Sequence, residues 1–576
     1  MDNQTVAKIL RQTADLLEIM EANSFRIKAY RQAAQSIESL ATDIYQIYQK
    51  DKLKEISGVG VGIEKYIKEL IKTGTCWEFE KFKKQIPLSV LELLKIEGLG
   101  PKKVKFLYHK FKITSLIKLE NLLKSHFLLK ENGWGEKSEQ NILKSIFLYK
   151  KFNQRFLLGE IYPLAQEIIK ELKKSKFVDQ IEICGSLRRQ KETVGDIDIL
   201  ITSSKPRQAI KLFTTLQNVK RILAQGATKV QVVLKQGIGA DLRVVKPESF
   251  GAAIHYFTGS KNHNIKIRWL GMKRNLRINE YGVYRIEKNN RKIKIGGEFE
   301  KDIFKAVGLP WINPELRENQ GEIEAAQKKQ LPNLIQIKDI KGDCHLHTVW
   351  SDGKENILEM AKKAKELGYQ YLAVTDHASF IKVANGLDIK RTIEYLKAVK
   401  KADKKIGGIK ILAGIEVDIK KNGDLYLPNQ VLKKFDLVIG AIHSGFKTEK
   451  EVMTKRIIKA MQNRYLDVLA HPSGRLINKR EPYQFDFNQI LEQAKKTKTI
   501  LEINSSYQRL DLNANQARLA KEKGVKMIIS TDAHNTGSLE MMKFGIANAR
   551  RGWLEKKDII NTKSLKDFLK QLKRNK

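Results

Sequence analysis

The amino-acid sequence predicts a multidomain fold with a helical N-terminal region, a middle α/β region and a C-terminal α/β domain of barrel type. Three observations predict it. A Gly-x-Gly turn between two helices recurs three times before residue 150, and strands alternate with helices from about residue 155. The alternation resumes after a polar segment and carries histidines at successive strand ends. With 576 residues, the chain exceeds one ordinary domain.

The charge of the chain favours a nucleic-acid partner. The formal net charge is +42, and the basic excess concentrates in residues 101–150 and 201–300, as expected of a surface that binds phosphates. A solvated, Lys-rich surface is the alternative. Three scattered cysteines indicate a reduced compartment. No apolar run reaches bilayer length and "MDNQTVAKIL" has no signal-peptide h-region, so we expect neither a membrane span nor a leader peptide. We therefore expect a soluble, cytoplasmic, monomeric protein without a membrane partner.

The first 150 residues contain repeats of helix-hairpin-helix type. After a break predicted near Asn23, the segments "EISGVGVGIEKYI", "KIEGLGPKKVKFL" and "KENGWGEKSEQNIL" each join two helices through a Gly-x-Gly turn. Glycine permits the tight turn, and the free N–H groups of the second helix can bind a DNA phosphate without reading sequence. One copy could be an ordinary helix cap, but three copies favour DNA binding. The glycines predicted to contact DNA are Gly58, Gly60, Gly98, Gly100, Gly133 and Gly135.

A pair of aspartates follows a glycine turn in "CGSLRRQKETVGDIDIL". Asp196 and Asp198 lie two apart on a predicted strand, so both carboxylates face one side, and Asp241 on a later strand can join them. Like charges this close repel unless a cation separates them, and Mg²⁺ or Mn²⁺ suits three carboxylates. Asp-x-Asp alone is more often an exposed strand face. The adjoining turn, with Ser186 and Arg189 suited to a triphosphate, favours a nucleotidyltransferase.

Histidine is concentrated in the C-terminal region. Six of the ten histidines are predicted at six separate strand ends, with three acidic residues in equivalent places, and such ends converge in a barrel. A single histidine after a strand is usually only a polar loop residue. Nine imidazole and carboxylate ligands suit two or three ions of Mn²⁺, Zn²⁺ or Fe²⁺, and phosphoester hydrolysis is the chemistry of such sites. The predicted ligands are His345, His347, Asp352, His377, Glu416, His443, His471, Asp532 and His534.

The motifs "GSLRR…GDIDIL", "DLRVV" and "YFTGSKNHNIKIRWLG", preceded by the hairpins, resemble family X DNA polymerases, the group of DNA polymerase beta, over residues 1–315. The resemblance implies a nucleotidyltransferase palm with a thumb, in which Asp196 and Asp198 bind both metal ions and Asp241 assists the primer 3′-hydroxyl. It implies gapped or primed DNA and dNTPs as substrates. The residues implied to contact the incoming nucleotide are Ser186, Arg189, Gly195, Tyr256, Phe257, Gly259 and Asn264, and Arg268 is implied to contact the template strand.

Two further implications concern the hairpins. By the same resemblance, main-chain carbonyls of the first two hairpins hold a monovalent cation beside a DNA phosphate; they belong to Lys54, Ile56, Val59, Leu94, Ile96 and Leu99. In the animal enzyme a lysine of the first hairpin forms a Schiff base with a 5′-deoxyribose phosphate. Tyr66 occupies that position here, and tyrosine cannot form a Schiff base. Lyase activity would need Lys65, Lys68 or Lys72 as a substitute, and we do not expect it.

The C-terminal segments "HLHTVWSDG", "TDH", "GIEVDI", "AIHS", "AHPSG" and "STDAH" resemble the polymerase-and-histidinol-phosphatase (PHP) domain over residues 337–576. All nine positions of that family's metal-binding pattern are filled. The resemblance implies a distorted (β/α) barrel that acts as a 3′→5′ exonuclease, and further as an abasic-site endonuclease or 3′-phosphatase. Arg475, in "HPSGR", is a candidate for contacting a phosphate. The alternative is a PHP domain that is structural only.

Together the two resemblances imply a polymerase that fills short gaps in base excision repair and trims 3′ ends. Rival hypotheses are a nucleic-acid-binding scaffold with vestigial sites, an RNA-tailing enzyme, and a PHP domain that is a small-molecule phosphatase. The filled ligand positions argue against the scaffold, and the three hairpins argue against the RNA-tailing enzyme. The fusion to a polymerase-like core argues against the small-molecule phosphatase. The predicted segments are an N-terminal helical DNA-binding domain (1–85), a fingers-like domain (86–152), palm and thumb (153–312), a linker (313–336) and the PHP domain (337–576).

Overall fold

The computed structural model describes residues 3–40, 44–287, 291–379 and 384–573. The chain divides into two compact units, Met1–Gln154 and Arg155–Lys576. The division falls beside the predicted start of the palm at residue 153. Among the described residues, no helix is both long and apolar enough to cross a bilayer.

The first unit is helical and is built around one apolar core. Its break at Asn23 is confirmed, because the Asn23 side chain accepts a hydrogen bond from the Phe25 N–H (2.8 Å) and so starts the second helix. The helices are α1 (Asn3–Ile19), α2 (Ser24–Ser39), α3 (Ile44–Gln49), α4 (Val61–Thr73), α5 (Trp77–Gln85), α6 (Pro101–Phe111), α7 (Leu116–Lys124) and α8 (Glu136–Asn153).

The three predicted hairpins share one backbone geometry. The first glycine of each turn has a positive φ, at Gly58 (83°), Gly98 (90°) and Gly133 (83°), which only glycine adopts readily. The second glycine of each turn directly precedes helix α4, α6 or α8 and has an extended conformation. A methyl group built on that second glycine would meet no atom of the described residues within 4 Å, so the space before each helix is open. The repeated turn predicted from sequence is therefore present three times.

The second unit begins with the predicted palm. Its sheet has the strand order β2-β4-β7-β6-β5, in which β4 and β7 run parallel and the other neighbours are antiparallel. A separate short pair joins β1 to β3. The strands are β1 (Phe156–Leu157), β2 (Gln180–Ile183), β3 (Thr193–Val194), β4 (Asp196–Thr202), β5 (Val219–Gln225), β6 (Lys229–Leu234) and β7 (Gly239–Val245), and the helices are α9 (Leu158–Lys173), α10 (Gly185–Arg188) and α11 (Pro206–Thr214).

The thumb follows as helices around a small antiparallel sheet. The sheet has the order β10-β9-β8, and apolar side chains of the helices pack against it. The strands are β8 (Leu276–Asn279), β9 (Gly282–Ile286) and β10 (Lys292–Gly296), and the helices are α12 (Phe250–Thr258), α13 (Lys261–Met272), α14 (Glu300–Ala306) and α15 (Glu322–Gln327).

The segment 313–336, predicted to be a linker, is instead packed into the thumb. Arg317 is fully buried and forms an ion pair with Glu300, and its Nε and Nη2 donate to the carbonyl of Ile312 (2.9 and 2.7 Å). Glu322 is fully buried against His263 (2.7 Å). The sequence predicted a linker because the segment contains few apolar residues. Its charged side chains are nevertheless buried, since each has a hydrogen-bonded partner that the hydropathy of the segment does not reveal.

The last region is a nearly closed barrel of parallel strands in the order β11-β12-β14-β15-β16-β17-β18, with β13 paired to β14. The strands are β11 (Gly342–Asp343), β12 (Tyr371–Val374), β13 (His377–Ala378), β14 (Lys410–Asp418), β15 (Leu437–Ala441), β16 (Val468–Leu469), β17 (Ile500–Asn504) and β18 (Met527–Ser530). The helices are α16 (Ile357–Glu366), α17 (Ile389–Ile406), α18 (Asn429–Leu432), α19 (Lys450–Gln462), α20 (Phe487–Thr497), α21 (Ala514–Glu522), α22 (Met542–Arg551) and α23 (Leu565–Leu569).

The two ends of the barrel are different. At the amino ends of the strands, Phe568 of α23 stacks on Tyr371 (5.0 Å between ring centroids), and the Lys573 ammonium donates to the carbonyls of Met461 and Asn463. At the carboxyl ends, a backbone bridge between Leu346 and Ala533 joins the first strand's loop to the last. The C-terminal segment therefore covers one end, and the other end is left for the predicted metal ligands.

The barrel and the palm share a continuous core. Phe544 of α22 and Leu510 are buried among the apolar side chains of the palm. Tyr507 packs so closely on α9 that a methyl group on Gly159 would lie 2.1 Å from its ring. No residue larger than glycine would fit between α9 and the Tyr507 ring, so the palm and the barrel pack directly against each other.

Candidate active sites

The three predicted carboxylates of the palm lie on adjacent strands. Asp198 of β4 is paired directly with Asp241 of β7 in parallel register, and Asp196 lies two residues before Asp198 on the same face. Asp241 accepts hydrogen bonds from the Gln231 side chain (2.8 and 2.9 Å), and the Lys229 ammonium lies 3.4 Å from its Oδ2. The fold therefore brings together the three acidic groups that the sequence singled out.

Their electrostatics fit a divalent cation. Burial, reinforced by Asp196 and Asp241, raises the pKa of Asp198 to about 7. Burial and the Asp241 charge also raise the pKa of Asp196. Carboxylates held this close repel one another in their ionised form, and a divalent cation between them removes that cost. Asp196, Asp198 and Asp241 are thus a donor set that suits Mg²⁺ or Mn²⁺.

The glycine turn before β4 touches this site directly. Gly185 has φ +62°, and a methyl group there would lie 2.2 Å from the Asp198 carboxylate, so the loop can approach only because residue 185 is glycine. Ser186 and Gly195 are both partly exposed at the two ends of the loop. The Arg189 side chain is 12% exposed, and its guanidinium donates to the carbonyl of Thr258 and pairs with Glu318 (3.0 Å).

The other residues implied to contact the nucleotide and the template lie on α12, α13 and the turn between them. Tyr256 and Phe257 are partly exposed and meet edge to face (5.1 Å between centroids), and Gly259 has φ +69°. Asn264 is 7% exposed, and its side-chain nitrogen donates to the carbonyl of Tyr256 (2.8 Å). Arg268 is partly exposed on α13. Their roles remain those that the sequence predicts.

The barrel gathers all nine predicted ligands at the carboxyl ends of its strands. Glu416 of β14 is the centre: its carboxylate lies 2.6 Å from His377 Nδ1, 3.2 Å from His471 Nε2 and 3.5 Å from His443 Nε2. Four overlapping groups have ligand atoms close enough for metal binding: His347–Asp352–His377–His534, His345–His471–Asp532, His345–His347–Glu416 and His377–Glu416–His443. One detail differs from the sequence prediction. His345 and His347 follow the same strand, so the six histidines come from five strand ends.

Among the described residues, several of these buried atoms have no hydrogen-bond partner. They are His345 Nε2, both ring nitrogens of His347, and His471 Nδ1. A buried polar atom without a partner is costly, and a metal ion would supply the missing interaction at each of them. Burial and the neighbouring His377 lower the pKa of His347 to about 3, which keeps its ring neutral as a ligand requires. The residues therefore fit two or three ions of Mn²⁺, Zn²⁺ or Fe²⁺.

Residues that the sequence prediction missed hold the ligands in place. Glu502 of β17 accepts from His345 Nδ1 (2.7 Å) and from the His471 backbone N–H (2.7 Å), and Asp418 accepts from His443 Nδ1 (2.8 Å). Metal-binding histidines usually donate their second ring N–H to such a carboxylate. The sequence did contain a sign of Glu502, since "ILEIN" sets an acidic residue inside an apolar strand as "GIEVDI" does for Glu416.

Arg475 does not lie free for a phosphate. Its guanidinium donates to the Glu192 carboxylate of the palm (2.7 Å) and to the carbonyl of Leu510 (2.6 Å), and its side chain is 13% exposed. The sequence prediction that Arg475 contacts a phosphate is therefore replaced by a contact between the barrel and the palm.

In the first hairpin, Tyr66 is buried. Its hydroxyl lies 2.6 Å from the Thr13 hydroxyl and its ring packs edge to face on Tyr30. Lys68, one of the proposed substitutes for a Schiff-base lysine, pairs with Asp51 and Glu64, which raise its pKa to about 12. A Schiff base needs a neutral amine, so Lys68 is unsuited to the lyase reaction.

Replacing Glu502 by Gln should weaken metal binding in the barrel by about 10- to 100-fold, because His345 loses the carboxylate that orients its ring. Titration of the metal-free protein with Mn²⁺, followed by calorimetry, measures this directly. The matched control is Asp467→Asn, since Asp467 is an equally buried carboxylate that accepts from the backbone N–H of Val438 (3.0 Å). Equal Mn²⁺ affinities for Glu502→Gln and the wild type would contradict the assignment.

Comparisons with known proteins agree with this geometry. Family models match a helix-hairpin-helix domain (residues 1–76), the DNA polymerase beta palm (158–248), the DNA polymerase beta thumb (253–318) and the PHP domain (343–506). A DNA polymerase/3′-5′ exonuclease PolX of Bacillus subtilis is 37% identical over 577 residues, covering 100% of both chains. A probable phosphatase of a Thermoanaerobacter species is 31% identical over 245 residues, covering 40% of this chain and 95% of its own.

Proposed function

The chain belongs to the family X DNA polymerases that carry a C-terminal PHP domain, and we propose a function on that basis. The protein fills short gaps in DNA at one site and trims 3′ ends at a second site. The polymerase and 3′→5′ exonuclease activities agree with those named for the Bacillus subtilis relative. The finer proposal is a role in base excision repair, with gapped or primed DNA and dNTPs as substrates. Abasic-site cleavage and 3′-phosphate removal are further reactions of the trimming site.

The observation that carries the proposal is that one chain holds two separate sites for divalent ions. In the palm, Asp196, Asp198 and Asp241 would hold Mg²⁺ or Mn²⁺, which supplies electrostatic stabilisation to a displacement at phosphorus. The loop with Ser186, Arg189 and Gly195 would bind the triphosphate. Tyr256, Phe257, Gly259 and Asn264 would contact the sugar and base of the nucleotide, and Arg268 the template.

The barrel would hold two or three ions on its nine ligands, and these ions supply the activation of water that phosphoester hydrolysis needs. The alternative function, a barrel that is structural only, is disfavoured by one observation. Among the described residues, His345 Nε2, both ring nitrogens of His347 and His471 Nδ1 are buried without a hydrogen-bond partner, and selection for a stable fold alone would not retain such atoms. We also propose that the protein is a monomer in the cytoplasm. Its three cysteines are free and buried, which fits a reducing compartment.

The proposal is tested on one substrate. The purified full chain is given a duplex with a short gap and a 5′-phosphate, with dNTPs and Mg²⁺ or Mn²⁺, and the primer length is followed. We expect extension to the end of the gap when dNTPs are present and shortening of the primer when they are omitted. A primer that is never extended would rule out the polymerase, and a primer that is never shortened would leave the barrel structural.

The hairpins give a prediction about DNA binding. Replacing Gly60, Gly100 and Gly135 together by Ser should preserve stability, because serine is a good first residue for a helix and a side chain there meets no atom. The serine oxygen would accept from the same backbone N–H groups that a DNA phosphate needs. We expect the Kd for gapped DNA to rise about tenfold, the equivalent of about 1.4 kcal/mol, when measured by fluorescence anisotropy.

The matched control for the hairpins is Gly74→Asn in the same unit. Gly74 ends helix α4 in the left-handed region, where Asn is also tolerated, and a side chain there likewise meets no atom. Its Kd should equal that of the wild type. If the triple serine variant also binds gapped DNA as tightly as the wild type, the hairpins do not contact the phosphates.

A further inference from the structure

The palm loop between β2 and β4 is held by two arginines of the barrel. Arg551, the last residue of α22, donates from Nη1 to the backbone carbonyl of Arg189 (2.9 Å) and to the Glu318 carboxylate (3.1 Å). Arg475, four residues after His471, pairs with Glu192 at the far end of the same loop (2.7 Å). The barrel therefore contacts the loop that leads into Asp196 at two positions, Arg189 and Glu192.

Glu318 is the centre of the first contact. Its Oε1 accepts from Arg189 Nε (3.0 Å) and from Arg551 Nη1, and the Lys191 ammonium lies 3.9 Å from its Oε2. The side chains of Arg189, Glu318 and Arg551 are only 12%, 14% and 13% exposed. Water and salt screen such a buried network far less than a surface ion pair, so each member affects the position of the others.

Arg189 in turn directly follows the glycine turn that touches the carboxylates of the palm. Its backbone N–H donates to the carbonyl of Gly185 (3.4 Å), and a methyl group on Gly185 would lie 2.2 Å from the Asp198 carboxylate. Its Nη1 donates to the carbonyl of Thr258, directly before the turn at Gly259. The orientation of Arg189 beside the catalytic carboxylates thus depends on Glu318 and, through it, on Arg551.

We infer that Arg551 and Glu318 are positioning residues for the polymerase reaction: they hold Arg189 in the orientation in which it meets the triphosphate of the incoming nucleotide. The barrel then completes the nucleotide site of the palm, in addition to carrying its own metal site. This inference rests on the proposed polymerase function. The apolar contacts of Tyr507, Phe544 and Leu510 already join barrel and palm, so Arg551 is not needed merely to hold the two together.

The test is steady-state gap filling by the full chain with Arg551→Ala. Loss of a charge-assisted hydrogen bond to a buried carboxylate should raise the KM for dNTP about tenfold and change kcat little, since the metal-binding carboxylates are untouched. Arg551→Lys keeps the positive charge and a donor but not the planar shape of the guanidinium, so its KM should rise less. Trimming of the primer without dNTPs should match the wild type for both variants.

The matched control is Arg550→Ala. Arg550 is the preceding residue on α22 and also joins the barrel to the thumb, through Glu315 (2.8 Å) and the carbonyl of Ile335 (3.0 Å), but not to the 185–195 loop. Its KM for dNTP should stay at the wild-type value. An unchanged KM for Arg551→Ala, or an equal rise for Arg550→Ala, overturns the inference.

Two further results keep the outcomes separate. If Arg551→Ala does not fold, as judged by circular dichroism, then Arg551→Lys and Glu318→Gln decide in the same way, and both should raise the KM for dNTP. Failure of the wild-type chain itself to extend a primer would overturn the polymerase function instead, and the two failures cannot be confused.

Discussion

Replacing Asp198 by Asn should abolish primer extension and leave 3′ trimming intact. Asn has the shape of Asp but not its charge, and the loss of one metal-binding carboxylate removes several kcal/mol of electrostatic stabilisation, so extension should fall about 10³-fold or more. The measurement is single-turnover extension of a gapped duplex at saturating dNTP, compared with shortening of the same primer without dNTP.

The structure supplies a reason why this variant should fold. Asp198 lies beside Asp196 and Asp241, and their mutual repulsion is part of what raises its pKa. Removing one of the three charges relieves that repulsion, so the metal-free Asp198→Asn chain should unfold at a temperature no lower than the wild type. A Tm below the wild-type value, with extension and trimming lost together, would show that the substitution acts through the fold and not through the metal site.

Much of both sites was predictable from the sequence because it depends on short-range geometry. Asp196 and Asp198 face one way because a strand alternates its side chains. The nine barrel ligands converge because parallel strands share a carboxyl end. The first rule concerns neighbours in the chain, and the second needs only the fold class, which the alternation of strands and helices predicts.

The parts that escaped prediction depend on partners distant in the chain. Glu502 was missed because His345, the ligand it orients, lies 157 residues away, and the acidic residue inside the apolar strand "ILEIN" does not by itself say which partner it has. Arg475 was assigned to a phosphate because nothing near it in sequence announces Glu192. The segment 313–336 looked like a linker because Arg317 and Glu322 are buried against partners that only the folded thumb supplies. Polar side chains whose partners are remote are the ones for which sequence reasoning fails.

Replacing His345 and His347 together by Ala should give the opposite result to Asp198→Asn: extension unchanged and 3′ trimming lost. His345 and His347 take part in three of the four ligand groups, and both lie next to Glu416 and Asp532. Without them the barrel keeps too few ligands for a complete multi-ion site. Trimming should fall about 10³-fold or more, beyond the roughly 10- to 100-fold expected for a residue such as Glu502 that only orients a ligand.

The pair of variants is decisive because the two sites lie in the same compact unit, so a general loss of folding would remove extension and trimming together. His345 and His347 are bonded into the barrel through their backbones, with the His347 N–H donating to the Ala533 carbonyl (2.8 Å) and the His345 carbonyl accepting from Asp532 (2.8 Å), so the loop should persist without the rings. Intact extension by the double variant, with a wild-type Tm, then assigns trimming to the barrel alone. If extension falls together with trimming, the palm depends on the metal site of the barrel. The model of two independent active sites would then be wrong, and the two sites would be coupled.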